Sequence, residues 1–237
     1  MHRGHRNPRV TEVDDAGRRV RPGPLVAMFF LILVASAGLA LWIGLSLGGV
    51  GVAAPTEDSV DAGFSRDMQA HHGQAVQMST SVLETSDDPD VRTLARDIML
   101  TQQQQAGQMH GWLKQWDLPQ TSSSPPMAWT STDGDGMDGM DHAPTPSASD
   151  DAQMPGMASA QELARLSAAT GTEADRLYLQ MMIPHHQGGV QMAAAAVATA
   201  ADDDVRRLAQ AIVDSQSAEL SVLRAMLAER GGPLPSS

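Results

Sequence analysis

The chain has 237 residues, 16 Lys and Arg against 28 Asp and Glu, and no cysteine. Without thiols there can be no disulfide, thiolate nucleophile or thiolate metal site, so any soft ligand must be methionine. A net charge of −12 argues against nucleic acid as a partner and is compatible with attracting cations.

Residues 1–24 form a basic tail, with Arg3, Arg6, Arg9, Arg18, Arg19 and Arg21 against Glu12, Asp14 and Asp15. From Pro22 to Thr56 there are 35 residues without a charge, and a membrane-spanning helix needs only about 20 apolar residues. A single-pass transmembrane anchor is expected over 25–54. The positive-inside rule puts the tail in the cytoplasm and the rest of the chain outside. The alternative is a signal peptide cleaved near Ala53 and Ala54, releasing a secreted protein. The run is longer than the about 7–15 apolar residues of a signal peptide, which favours the anchor. Beyond the tail lie 10 basic and 25 acidic residues; beyond tail and anchor lie 13 of the 15 methionines, with Phe64 and Tyr178 the only Phe or Tyr.

The first helical hairpin is expected over 60–118. Phe64, Met68, His71, Ala75, Met78 and Val82 recur at spacings of three and four, one face of a helix. The break at "TSDDPD" ends it, because Pro89 cannot continue a helix and an aspartate can cap the next one. That next helix carries Val91, Leu94, Ala95, Ile98, Gln102, Ala106, Met109 and Leu113 on its inner face and closes near "QWDLP". Residues 119–160 are rich in Pro, Gly, Ser, Asp and Met without helical or strand period, and are expected to be a disordered linker. A second hairpin is expected over 161–230.

The two hairpins are copies. A shift of 114 residues aligns Phe64–Met109 with Tyr178–Leu223 without a gap, and 15 of 46 positions are identical. They include Met68/Met182, His71/His185, His72/His186, Met78/Met192 and Gln102/Gln216. The fold class is therefore all-α: a four-helix bundle of two duplicated hairpins, preceded by one transmembrane helix.

On a helical wheel His71 falls mid-stripe and His72 at its edge, about 100° further round. Met68 shares their face one turn earlier, and Met78 lies two turns beyond His71. Gln102 and Gln216 sit at matched heights on the inner stripe of each second helix, where a buried amide demands a partner. The plain reading makes His71 and His185 core histidines bonded to those glutamines, with methionines filling gaps. Four imidazoles and four thioethers at matched heights exceed that need, and imidazole with thioether suits copper, Cu(I) above all. The candidate metal ligands are Met68, His71, His72, Met78, Met182, His185, His186 and Met192, with Gln102 and Gln216 beside them. No Glu-x-x-His occurs, and Glu219 has Gln105 as its counterpart, so a di-iron or di-manganese centre lacks ligands. Zinc held by histidine is compatible with the same residues. Pro184 stands where the first copy has Ala70, and a kink there is expected to open the second site relative to the first.

The linker offers a weaker set in "DGDGMDGMDH" and "MPGM": Met137, Met140, His142, Met154 and Met157. It also lacks the glutamate that ends an EF-hand loop, so calcium is not expected.

The stretches "FSRDMQAHHGQAVQM", "MPGM" followed by "ELARLSAATGTEADRLYLQMMIPHHQGGVQMA", and the "VRxLAxxI" second helices resemble the domain of unknown function 305 family of bacterial envelopes, over about Phe64 to Leu227. The resemblance implies a ferritin-like four-helix fold, and copper binding and tolerance outside the cytoplasm as in some members. Carried over, the implied metal positions are the same four histidines and four methionines. The copies differ at Gly73 and Gln74 against Gln187 and Gly188, which leaves every ligand in place.

The expected function is a membrane-anchored extracytoplasmic copper-binding protein, with a metal ion and the membrane as partners and no turnover. An oxidase converting Cu(I) to Cu(II) is the enzymatic alternative, and a structural module without metal is the third.

Overall fold

The structure is a computed structural model that describes residue 39 and residues 54–131 and 154–235. The tail and nearly all of the expected anchor lie outside the described residues. Among the described residues no helix is long and apolar enough to cross a membrane. Within the unit Val52–Ser237 the described residues form five helices and no strand: α1 Val60–Thr85, α2 Pro89–Gln115, α3 Ala160–Ala168, α4 Gly171–Thr199 and α5 Asp203–Glu229.

Local chemistry sets the ends of these helices. The Ser59 hydroxyl accepts from the Ala62 N–H to begin α1. Asp88 accepts from the N–H groups of Asp90 and Val91 at the start of α2, with Pro89 in the first turn where its missing N–H costs nothing. Asp202 does the same for α5 through Asp204 and Val205. Each hairpin turn is thus a three-residue link ending in a capping aspartate.

The hairpins α1/α2 and α4/α5 pack through α1 against α4. The expected inner face of α1 is the buried one: Phe64, Met68, His71, Ala75, Met78 and Val82 are all fully enclosed. Two apolar cores result. One joins Ala75, Met78 and Val82 of α1 to Tyr178 and Met182 of α4, Ile98 of α2 and Leu223 of α5. The other joins Phe64 and Met68 to Met192 and Ala196, with Met109 and Ile212. Apart from Ala75, whose equivalent is Gly189, the 114-residue shift exchanges one list for the other, as expected of a pseudo-twofold bundle. Asp61, at the start of α1, accepts from the N–H groups of Ala201 and Asp202 in the opposite hairpin's turn. Arg230, at the end of α5, pairs with Asp88 at 2.7 Å in the first hairpin's turn.

The segment expected to be a disordered linker is folded at both ends. Residues Ala128–Thr130 form a 3-10 turn, and Trp129 packs edge-on against Phe64 with ring centroids 5.9 Å apart. Asp67 accepts from the Trp129 indole N–H at 2.8 Å and from the Met127 N–H at 2.7 Å. At the far end, Gln74 clamps both backbone groups of Ala158. Composition misled here because these contacts are made with distant helices, which a local reading of Pro, Ser and Gly cannot register.

Candidate metal centre

The repeated histidine pairs face each other across the α1/α4 contact. His71 and His185 lie with ring centroids 3.8 Å apart and planes tilted by 35°. Each lies 6.5 Å from its neighbour, His72 or His186. All four are fully buried, at 0% exposure. In sequence His71 falls between the residues α1 gives to the two cores, and His185 does the same on α4. The histidines therefore form one polar layer between two apolar cores rather than two separate clusters.

His72, expected at the edge of the stripe, is as enclosed as His71. Its arc of α1 faces α2, the partner within the hairpin, so α1 buries more of its circumference than one stripe. Met68 and Met192 flank the layer in one core, and Met78 and Met182 flank it in the other; all four are fully buried. Pro184 neither ends α4 nor opens the second site: the helix runs on to Thr199 and His185 is as buried as His71.

The hydrogen bonds differ from the plain expectation. Gln102 and Gln216 bond neither His71 nor His185; it is His72 that pairs with a glutamine, Gln105, with Nε2 2.8 Å from the amide oxygen. The equivalent bond joins His186 Nε2 to the Glu219 carboxylate at 2.6 Å. His71 Nε2 donates to the Pro155 carbonyl at 3.1 Å. Gln105 and Glu219 had a signal in the sequence, standing one turn beyond Gln102 and Gln216 on the inward side. Pro155 had none, because it arrives from the linker.

That approach depends on two glycines. A Cβ on Gly188 would lie 1.9 Å from the Pro155 oxygen, and one on Gly156, at φ +77°, would lie 2.1 Å from the Pro184 oxygen. The "MPGM" strap therefore crosses α4 at Pro184 to Gly188 and touches His71. Its Met154 and Met157 are half-buried, Met154 against the core that holds Met68 and Met192. Met137, Met140 and His142 lie outside the described residues.

Several buried polar atoms of the layer have no hydrogen-bond partner among the described residues: Nδ1 of His71, His72 and His186, both ring nitrogens of His185, and both amide atoms of Gln102 and Gln216. Each such atom costs about 1–3 kcal/mol when unsatisfied. Burial pushes His71 down to about 4, against a smaller opposing effect of the Pro155 carbonyl. It pushes His72 down to about 3, with His71 adding to the effect, and His185 well below the usual histidine range. These three imidazoles are therefore neutral at physiological pH, the form that binds metal.

No group of three or more His, Asp or Glu among the described residues is already arranged around a cation position. The rings of His71 and His185 instead lie against each other, tilted by 35°. The donor set still fits a soft or borderline cation: neutral imidazole nitrogens without partners, amides without partners, and thioethers on both sides. It does not fit a hard cation, because among the described residues Glu219 is the only carboxylate bonded to the layer.

The DUF305 family description, a domain of unknown function, matches residues 61–227. Among solved structures, the chain is similar to a DUF305 protein of Streptomyces coelicolor, presumed secreted. Identity is 41% and the TM-score 0.66, over 77% of this chain and 100% of that one. It is similar to a DUF305 fragment from Deinococcus radiodurans, at 32% identity and a TM-score of 0.56 over 73% and 97%. It is also similar to CopM in an Ag-bound form, at 26% identity and a TM-score of 0.50 over 73% and 98%. No curated protein matches it. With the family description spanning the whole bundle and two DUF305 structures matched over nearly their full lengths, the chain belongs to the DUF305 family.

Proposed function

We propose that this protein binds copper outside the cytoplasm, as a sequestering module without turnover held to the membrane by residues 25–54. The observation that carries the reading is the polar layer itself: four fully buried histidines and two buried glutamines, rich in nitrogen and oxygen atoms without partners, between cores that each present two methionines. Packing alone gives no return for that arrangement, since an apolar layer would fill the same space without the cost of unsatisfied polar atoms. Structural neighbours support the choice of metal, CopM having been crystallised in Cu(I)-bound and Ag-bound forms. Bound copper would supply a soft Lewis-acid centre. The chain's part is to present neutral imidazoles and thioethers and to exclude water.

The test is a competition titration of the segment Val52–Ser237 with Cu(I) and Cu(II). That segment is a compact unit, and the Streptomyces relative matches over the whole of its own length. Uptake of Cu(I) that is lost in His71→Ala/His72→Ala and in His185→Ala/His186→Ala is expected. A wild-type segment that takes up neither ion would overturn the reading. Variants that lose only stability would favour a purely structural layer.

A further inference from the structure

The two halves of the polar layer match in their histidines and in Gln102/Gln216; besides the Pro155 contact of His71, they differ in the group that each outer histidine bonds. Gln105 and Glu219 are repeat equivalents. Each accepts from the Nε2 of the outer histidine of its own hairpin, at 2.8 Å to His72 and 2.6 Å to His186. A carboxylate can only accept, so the proton of that bond sits on His186 Nε2. The pseudo-twofold places the amide oxygen of Gln105 in the same role toward His72. In both residues the other ring nitrogen, Nδ1, is buried and without a partner among the described residues.

We infer that Gln105 and Glu219 are positioning residues that hold His72 and His186 as Nε2–H tautomers with Nδ1 free for a soft monovalent cation, and that Glu219 makes the His186 half load first. The inference rests on the copper reading above and adds to it the ligating atoms and the order of filling. A carboxylate behind a ligating imidazole fixes its orientation and raises its basicity, and removing such a partner typically costs about 10–100-fold in metal affinity. Its negative charge also attracts the cation through the ring, which a neutral amide does not. The Glu219 side chain is 26% exposed, whereas Gln105 is buried at 7%. Solvent therefore screens part of the charge, and the lower end of that range, about tenfold, is expected. The same partial exposure lets a carboxylate sit beside the layer where no lysine or arginine pairs with it among the described residues.

The experiment uses the Val52–Ser237 segment with 15N-labelled histidine, followed by long-range proton–nitrogen correlation as silver(I) is added as a redox-inert probe. Before silver, His72 and His186 should both show the Nε2–H pattern, and Nδ1–H or a doubly protonated ring at either would overturn the assignment. On titration the His186 Nδ1 signal should move first. Glu219→Gln keeps an accepting oxygen, so tautomer and melting temperature should hold while affinity at His186 falls about tenfold and both halves fill together. Gln105→Glu should strengthen the His72 half by a similar factor. Silver binding whose order ignores both substitutions overturns this inference and leaves the copper reading standing. A wild-type segment in which silver moves none of the four histidines overturns both.

Discussion

Tyr178 and Phe64 occupy equivalent positions in the two repeats, and the difference between them is answered across the core. The Tyr178 hydroxyl lies 3.0 Å from Ser79 Oγ, both groups buried, and burial pushes the phenol pKa up. Phe64 shares its core with Ala193, the repeat equivalent of Ser79. One half thus pairs hydroxyl with hydroxyl, where the other holds a phenyl ring and a methyl group in one core. Tyr178→Phe should cost about 1 kcal/mol by leaving the serine hydroxyl without its partner, at the low end because Ser79 can turn back to its own helix. Adding Ser79→Ala should recover most of that loss in urea denaturation, since it rebuilds the apolar pair. A double variant no more stable than the single one would show that the hydroxyl pair is not what matters. At this scale the sequence was informative about direction, because a 3.6-residue period fixes which way His71, Met68 and Met78 point. The period alone does not fix partners: it points to Gln102 for His71, whereas the bond made is that of Gln105 to His72.

Helix α4 shows what an element must give up to accept a strap. The repeat aligns Gly73–Gln74 with Gln187–Gly188, and only the second glycine faces crowded backbone. A Cβ on Gly73 would meet nothing within 4 Å. Gly73→Ala is therefore expected to stabilise α1 by about 0.5–1 kcal/mol through helix propensity and reduced freedom of the unfolded chain. Gly188→Ala gains the same but must displace the Pro155 carbonyl, whose overpacking cost of about 1–3 kcal/mol should dominate. Thermal melting should show opposite shifts for the two variants, and hydrogen exchange at residues 156–158 should quicken only in Gly188→Ala. Shifts of the same sign would contradict the strap's placement. The two copies cannot both carry such a strap, because a chain with one linker crosses the bundle once. The inverted Gly–Gln order of the two copies follows from this, alongside other differences of the segment such as Ala70/Pro184 and Ala75/Gly189.

Within the Val52–Ser237 unit the histidine layer lies between the two cores, so its protonation bears on the stability of that unit. The folded-state values of His71 at about 4 and His72 at about 3 lie below the unfolded value of 6.5, and His185 is lowered too. Between pH 6.5 and about 4 the unfolded chain binds more protons than the fold. Stability is therefore complete above 6.5 and falls as pH drops, by about 1.4 kcal/mol per pH unit for each such histidine. Urea unfolding at pH 7.5 and pH 5 should differ by several kcal/mol, and equal stabilities would mean that the layer admits charge. Burial also shifts the competition between proton and metal downward, so affinity should persist below the 6.5 at which a free imidazole begins to lose it.

The sequence by itself determined the four long helices, their inward faces, the capped turns and the pairing of equivalent residues. These follow from local periodicity, capping chemistry and a gapless internal repeat. Tertiary structure decided that the two histidine pairs merge into a single layer with His71 on His185, that Gln105, Glu219 and Pro155 are the partners of that layer, and that the ends of the linker pack on the bundle. Those outcomes depend on which face of α1 meets which face of α4, and on where one crossing strap comes to rest. Contacts such as His72–Gln105, 33 positions apart, and His71–Pro155, 84 apart, leave no period in the chain, and periodicity is the same in both halves, whichever one the strap covers.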